Sequence, residues 1–356
     1  MKKLANMFLA FGLLGTALSA FATGTVENNV YRTTTSGAPI YAQGGAISKF
    51  GSTYYWYGVQ YSGASTYYST GVGSSDNVFQ SVNVYSSIDL INWKTSNTVV
   101  TTSTAGFSNT TWVGRLSQVL YNSSTKLYVM WIVYDGPDGD GEACLTSSSP
   151  TGPFTINNVQ TSFTNVYDSL NGDSSIFVDV AHGSTPYFIF SDAHGREHAY
   201  IAPLSSNYES IEAATLISEW PQGQEANNMF EYNGNYYYVM SNLAGFGYSS
   251  AYVVWSPNIL TPSDYTKDAA FAGTTATDTY YSQVGFVIEL QGDETTSYIE
   301  SSDRWLEFDD SYANAGFGKG FYVWAPITFS GATPTYNPTT SLTISYSTGE
   351  LSWSGI

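Results

Sequence analysis

The sequence predicts an all-β fold, a five-bladed β-propeller, and three observations carry that prediction. An aromatic strand motif recurs five times, as YYWYG (54–58), YVMWIV (128–133), YFIFSD (187–192), YYYVMSN (236–242) and YIESSDRW (298–305). The recurrences lie roughly 60 residues apart, an interval that suits four strands and their loops in one blade. No amphipathic helix of about ten residues or more is found after the N-terminal stretch.

Each element has a local reason. Turns precede several of the aromatic runs: Phe50-Gly51-Ser52, Ser123-Ser124-Thr125 and Asn233-Gly234-Asn235. Tyr, Val, Ile and Trp after such a turn read as strands in hairpins. Between them lie strands ending in Ser and Asp turns, SSIDLINW (86–93) and TSSSPTGPF (146–154). The tail after Ser330 is rich in Thr and Ser but ends in LTISYS and LSWSG, so residues 332–356 are expected to close the ring or to extend an outer blade. A β-sandwich or β-helix is the alternative, but sandwich strands do not repeat at so long an interval. Residues 1–22 read as a secretory signal peptide: Lys2 and Lys3, an apolar run from Leu4 to Leu18, then Ala20-Phe21-Ala22. Residues 23–356 are therefore expected to form one secreted or extracellular domain, or a periplasmic one in a Gram-negative host.

Composition narrows the function. The chain is 42% hydrophobic and 16% aromatic, which excludes wholesale disorder. Only 11% of residues are charged, and Asp plus Glu outnumber Lys plus Arg 29 to 11 for a formal net charge of −18. Nucleic-acid binding needs clustered Lys and Arg, and none are clustered here. No later stretch reaches membrane-span length. A weakly charged surface rich in Tyr and Trp suits neutral ligands, with sugars first, and the expected state is a monomer. Cys144 is the single cysteine and can make no internal disulfide.

A propeller gathers chemistry on its axis from side chains about one blade apart. Inverting hydrolysis of a glycosidic bond needs a carboxylic acid and a base on opposite sides of the bond. Asp173 in LNGDSSIF and Glu225 in GQEANNMF lie about one blade apart, each beside small residues and then Phe177 or Phe230. For any single Asp in so acidic a chain, a turn or solvated role is the competing explanation. Their matched contexts favour the pair.

At this point a resemblance becomes specific. The chain resembles family 43 glycoside hydrolases, nearest their exo-β-1,3-galactanase-like branch, at GGAISKFGSTYYWYG (44–58), YSSIDLINW (85–93), VLYNSSTKLYVMW (119–131), SPTGPF (149–154), GDSSIF (172–177), QEANNMF (224–230), YSQVGFV (281–287) and DRW (303–305). The resemblance implies a five-bladed, inverting enzyme with Glu225 as general acid and Asp173 orienting it and tuning its pKa. It implies that Gln283 stands where the branch uses an amide in place of a carboxylate base. A neutral amide is a very poor base, so Gln283 would position water or act through an imidic-acid tautomer. The more usual family base is an Asp in the first inner strand, where this chain has Gln43 in IYAQGGAI.

Other positions depart from the branch. Its YWYGE reads YWYGV here, with Val59; its ERPKV reads RLSQV, with Arg115; and the histidine of its AHGGG is replaced by Gln43. Arg115 is expected to pair with Asp173 or Glu225, or to grip a sugar hydroxyl or a uronate. Gln43, Arg115, Tyr134, His194 and Trp305 are the candidate substrate-binding residues, Tyr134 and Trp305 as platforms for sugar faces. His194-Gly-Arg-Glu-His198 matches a zinc-protease pattern but reads as a hairpin loop, not a helix. DGPDGDGE (135–142) lacks EF-hand spacing and reads as a solvated acidic loop, with adventitious calcium second. No cofactor or metal is expected.

The expected function is a secreted glycosidase, exo-acting on β-1,3-galactan of the arabinogalactan type and binding poly- or oligosaccharide. Arabinofuranosides and xylosides are the next substrates. A non-catalytic carbohydrate-binding propeller is the alternative from another class, favoured by the missing carboxylates, and an adhesion propeller is third.

Overall fold

The structure, a computed structural model, describes residues 23–355 apart from 75, 169–170, 194, 267–268, 276–278 and 309–318. The expected signal peptide thus lies outside the described residues. The chain opens with β1 (Thr23–Glu27) and then lays down five four-stranded antiparallel sheets in sequence order. The first holds β2 (Gln43–Phe50), β3 (Thr53–Tyr61), β4 (Phe79–Ser87) and β5 (Lys94–Thr101). The second holds β6 (Trp112–Asn122), β7 (Leu127–Gly136), β8 (Gly139–Ser147) and β9 (Thr155–Gln160). The third holds β10 (Asn171–Asp179), β11 (Thr185–Asp192), β12 (His198–Pro203) and β13 (Thr215–Glu219). The fourth holds β14 (Glu225–Tyr232), β15 (Asn235–Ser241), β16 (Ala251–Ser256) and β17 (Ala269–Ala270). The fifth holds β18 (Gln283–Gln291), β19 (Thr296–Asp303), β20 (Tyr322–Ser330) and β21 (Thr333–Tyr336).

The expected count of five blades is corrected to six. A sixth sheet of three strands joins β1 to β22 (Ser341–Ser345) and β23 (Glu350–Ser354), with Thr23 opposite Ser345. The five aromatic motifs all fall on second strands, β3, β7, β11, β15 and β19, and the sixth sheet has no such strand. The tail does two jobs. β21 finishes the fifth sheet as an outer strand, and β22 with β23 builds the sixth with the N-terminal strand.

Burial on both faces explains why the second strands read as continuous apolar runs and not as strict alternation. The core is divided into clusters between neighbouring sheets. In β7, Trp131 faces the third sheet with Phe188, while Met130 and Ile132 face the first with Val82 and Val84. In β15, Tyr238 and Met240 face the third sheet and Tyr237 and Val239 the fifth. The first strands β2, β6, β10, β14 and β18 touch one another in a closed cycle around the axis. The sixth sheet sits at the seam between the first and fifth sheets, adding Val26, Leu342 and Ile344 to the cluster of Trp56, Trp93 and Trp324. Asn28 fastens this seam: its Nδ2 donates to the carbonyls of Trp324 and Thr339, and its Oδ1 accepts from the Trp324 N–H. The nine-residue helix α1 (Ser62–Thr70) is an insertion between β3 and β4. Among the described residues no helix is long and apolar enough to cross a membrane.

Candidate active site

All five first strands carry a break in register at one end of the ring. It falls between Gln43 and Ala46, Val113 and Leu116, Asn171 and Ser174, Glu225 and Asn228, and Gln283 and Phe286. A β-bulge bends its strand and re-aims side chains, so five of them at one rim turn several residues into one space. Gln43, Glu225 and Gln283 occupy the residue just before the break, and Arg115 and Asp173 lie inside it. At two strands the bulge backbone is left-handed: Gly44 has φ of 56° and Ala226 of 57°. A Cβ on Gly44 would lie 3.3 Å from the Trp305 ring, so glycine there serves both the backbone and the wall of the site. Ala226 adopts this costly conformation with its N–H 3.0 Å from Asp173 Oδ2, tying two first strands together.

Glu225, Asp173 and Gln283 converge. Gln283 Nε2 donates to Glu225 Oε1 at 2.8 Å and to Ser241 Oγ at 3.2 Å. Its Oε1 accepts from Arg115 at 2.9 Å and from Trp305 Nε1 at 3.0 Å. Guanidinium and indole nitrogens only donate, so the amide has one allowed orientation, with nitrogen toward Glu225. Glu225 Oε1 also accepts the backbone N–H groups of Ala244 and Gly245 at 2.6 and 2.9 Å, and Oε2 accepts from Arg196 at 2.7 Å. Arg196 stands 3.6 Å from Asp173 Oδ1, so one guanidinium nitrogen touches both carboxylates.

Arg115 is the hub. Its side chain bonds Asp173 at 3.2 Å, Asp303 at 3.4 Å, Gln283 and the Val284 carbonyl. It pairs with Asp173, one of the two carboxylates expected, and not with Glu225. With its fork committed to protein partners, the guanidinium ties the first strand of the second sheet to the third and fifth sheets.

The two carboxyl groups titrate in opposite directions. Burial pushes Glu225 up, and the negative charge of Asp173 adds to that; the Ala244 N–H and Arg196 oppose it. Burial would also raise Asp173, but Arg196, Arg115 and the Ala226 N–H outweigh it and hold that group below the usual carboxylate range. Such separation of a carboxyl pair is how acid and base duties are divided. Asp303, also buried, is raised to about 6 by desolvation against the pull of Arg115 and the Gly44 N–H.

Other candidates fall as follows. Trp305 is in the site, but as an almost wholly buried wall: Phe246 packs 5.3 Å from its ring and Phe308 6.3 Å. Gln43 is buried beside the site and donates to the Arg304 carbonyl at 3.3 Å. Tyr134 is removed from the set. It is fully buried between the first and second sheets, its hydroxyl donated to the Gly106 carbonyl, and no ring face is left for a sugar. His194 lies outside the described residues. His198 starts β12 and bonds Asp192 at 3.0 Å. The acidic stretch 135–142 is not a solvated loop throughout: Pro137 and Asp138 make the tight turn between β7 and β8, and Glu142 is buried in β8, where it accepts from Ser174 Oγ. Among the described residues no cluster of His, Cys, Asp and Glu is arranged to hold a metal ion.

Sequence reasoning missed two parts. Arg196, inside the H-x-x-E-H stretch, reads from the sequence only as loop; its place after β11, on the blade of Asp173, is the available signal. The segment 242–250 following β15 carries no motif that marks it in the sequence. It supplies both backbone donors to Glu225 and, through Phe246, the cover on Trp305 and Phe308.

The sequence pattern of glycosyl hydrolases family 43 matches residues 47–303, more than two thirds of the chain. None of the curated proteins matches. Among solved structures, an exo-β-1,3-galactanase from Clostridium thermocellum superposes with a TM-score of 0.76 at 28% identity, covering 93% of this chain and 68% of that one. An exo-β-1,3-galactanase from Phanerochaete chrysosporium, solved with β-1,3-galactotriose, superposes at 0.75 with 24% identity, over 93% of this chain and 70% of that one. The second likeness, at that identity, speaks to the fold alone.

Proposed function

Because the chain belongs to family 43 of the glycosyl hydrolases, we propose that it is an inverting, exo-acting hydrolase of β-1,3-linked galactan. The observation that carries this reading is the convergence of Asp173, Glu225 and Gln283 at one rim of the ring, with Arg196 between the two carboxylates. The likeness to the Clostridium thermocellum exo-β-1,3-galactanase supports the choice of sugar.

In this reading Glu225 protonates the glycosidic oxygen as the bond to the anomeric carbon breaks. Its raised pKa keeps a proton available, as the role requires. Asp173, held ionised, sits close enough to disfavour the carboxylate of Glu225 and so helps keep the acid protonated. Arg196 favours the carboxylate of Glu225, but burial and the charge of Asp173 outweigh it.

The amide of Gln283 already accepts two bonds and donates two. A proton on Oε1 would face the Arg115 and Trp305 donors, so the imidic-acid form is disfavoured. Gln283 is therefore assigned to hold Glu225, and it positions water only by releasing the N–H now given to Ser241. The oxocarbenium-like carbon of the transition state is electrophilic enough for positioned water to add, with its proton passing to solvent.

The test is hydrolysis of a panel of β-1,3-galactobiose, β-1,3-galactan, aryl arabinofuranoside and aryl xyloside. The reading expects galactose alone, released from chain ends. Preferential release of arabinose or xylose would refute the sugar assignment.

A further inference from the structure

The first strands continue past their bulges toward the opposite end of the ring, and there they enclose a second space. It is an axial cavity of about 320 Å³ bordered by residues of all five first strands. Its walls include Ile47, Ile176, Met229 and Phe286. Of its polar lining groups, Gln118 is bonded to the Ile47 carbonyl and Gln291 to Glu289, but both side-chain atoms of Asn228, which is 2% exposed, and the hydroxyl of Ser175 find no partner within the protein. Buried amides are normally hydrogen-bonded, so a donor and an acceptor held side by side without partners point to something that fills the space.

More hydrogen-bonding capacity faces the axis. β2, β6, β10, β14 and β18 are all edge strands of their sheets, with no strand partner on the axial side. Mostly apolar walls with a few placed polar groups are the usual make-up of a small-molecule site, and this volume lies at the small end of that range. A pyranose presents the complementary surface, with C–H faces for Phe286 and Met229 and adjacent hydroxyls for the Asn228 amide.

A neighbouring feature indicates where a longer saccharide would run. Lys49 borders both this cavity and an open groove lined by Phe50, Tyr55, Tyr121 and Tyr128. Tyr121 is 41% exposed, and the Tyr128 ring lies 4.9 Å from both Tyr121 and Phe50. Aromatic rings with an apolar face and a wet edge are platforms for sugar rings. Asn228 lies three residues beyond Glu225 on β14, about 10 Å along the strand, so the far cavity and the catalytic rim share an axis without sharing residues.

We propose that this far end of the ring is a second, non-catalytic site for a neutral saccharide, with one sugar in the axial cavity against Asn228 and the following sugars over the Tyr121–Tyr128 groove. The choice of galactose units rests on the function proposed above. Such a site would hold the enzyme on its polymer while chain ends are cleaved at the opposite rim.

The experiment is calorimetric titration of the Glu225→Gln protein with β-1,3-galactobiose, alone and combined with Asn228→Leu or Tyr121→Ala. Asn228→Leu should remove one class of site, and Tyr121→Ala should weaken the same class by about three- to tenfold. Asn228→Leu in the otherwise native protein should cleave galactobiose within about twofold of the wild-type rate. A protein that binds in this way yet cleaves no galactan would refute the proposed function and support the far site. Binding unchanged by both substitutions, or crystals soaked in the disaccharide that show only ordered water in the axial cavity, would overturn it.

Discussion

Glu225→Gln separates the chemistry of the site from its architecture. In the native site Oε1 accepts three bonds, from Ala244, Gly245 and Gln283, and Oε2 accepts one from Arg196. A glutamine carbonyl can keep the first three. Its amide nitrogen then faces the Arg196 guanidinium, donor against donor, and one charge-assisted bond is lost. Such a bond contributes about 1.5–3 kcal/mol. Arg196 is 27% exposed and has Asp173 at 3.6 Å as a second partner, so the cost should lie at the low end. For a domain of this size that is about 2 °C in Tm. The catalytic loss is far larger, because a positioned general acid contributes about 10²–10⁴-fold, or about 3–5 kcal/mol of barrier. Galactobiose, whose leaving alkoxide needs a proton, should show that loss in full. An aryl galactoside with an acidic phenol needs none and should lose about tenfold or less. Galactobiose cleavage at the wild-type rate would refute the assignment of Glu225. Equal losses on both substrates would show that Glu225 acts by position and not by protonation.

Other perturbations read other parts of the network. Arg196→Gln removes a cation that favours the carboxylate of Glu225, so the alkaline limb of the pH–rate profile should move to higher pH; a profile that stays in place would contradict the role of that pair. Arg115→Met strands Asp173, Asp303 and Gln283 around an empty place, and breaking a buried ion pair costs about 3–5 kcal/mol, to be read by calorimetric unfolding. Glu300 and Glu307 are each raised to about 8 by burial. A raised acid stabilises the fold below its unfolded pKa, and that contribution is lost as pH rises through the folded value, so Tm should fall between about pH 5 and 9. Glu300→Gln should flatten the decline, and an unchanged slope would rule Glu300 out as its source.

What the residues disclose in advance follows from how they are buried. Second strands such as Tyr54–Gly58 and Tyr128–Val133 pack neighbouring sheets on both faces, so their aromatic runs stand out and mark the repeat. The sixth sheet had no such mark. It pairs Thr23 with Ser345, and nothing local in either strand announces a partner from the other end of the chain. Asp173 and Glu225 were legible because a propeller axis gathers residues from the starts of successive blades, and Gln283 was reached through the family resemblance. Arg196 and the 242–250 segment were not, since their approach to Glu225 depends on where loops lie in space. Tyr134 failed as a sugar platform because composition marks a tyrosine as usable without saying which way it faces. The departure at Arg115 was visible as a substitution, but its meaning, a cation tying Asp173, Asp303 and Gln283 together, required the ring to be closed.

The most direct trial of the whole account is real-time NMR of the wild-type protein acting on β-1,3-galactobiose. Inversion at the carbon opposite Glu225 predicts α-galactose from the non-reducing end as the first anomer seen, with the β-anomer appearing only as mutarotation proceeds. Prompt release of β-galactose, or no cleavage at all, would contradict it.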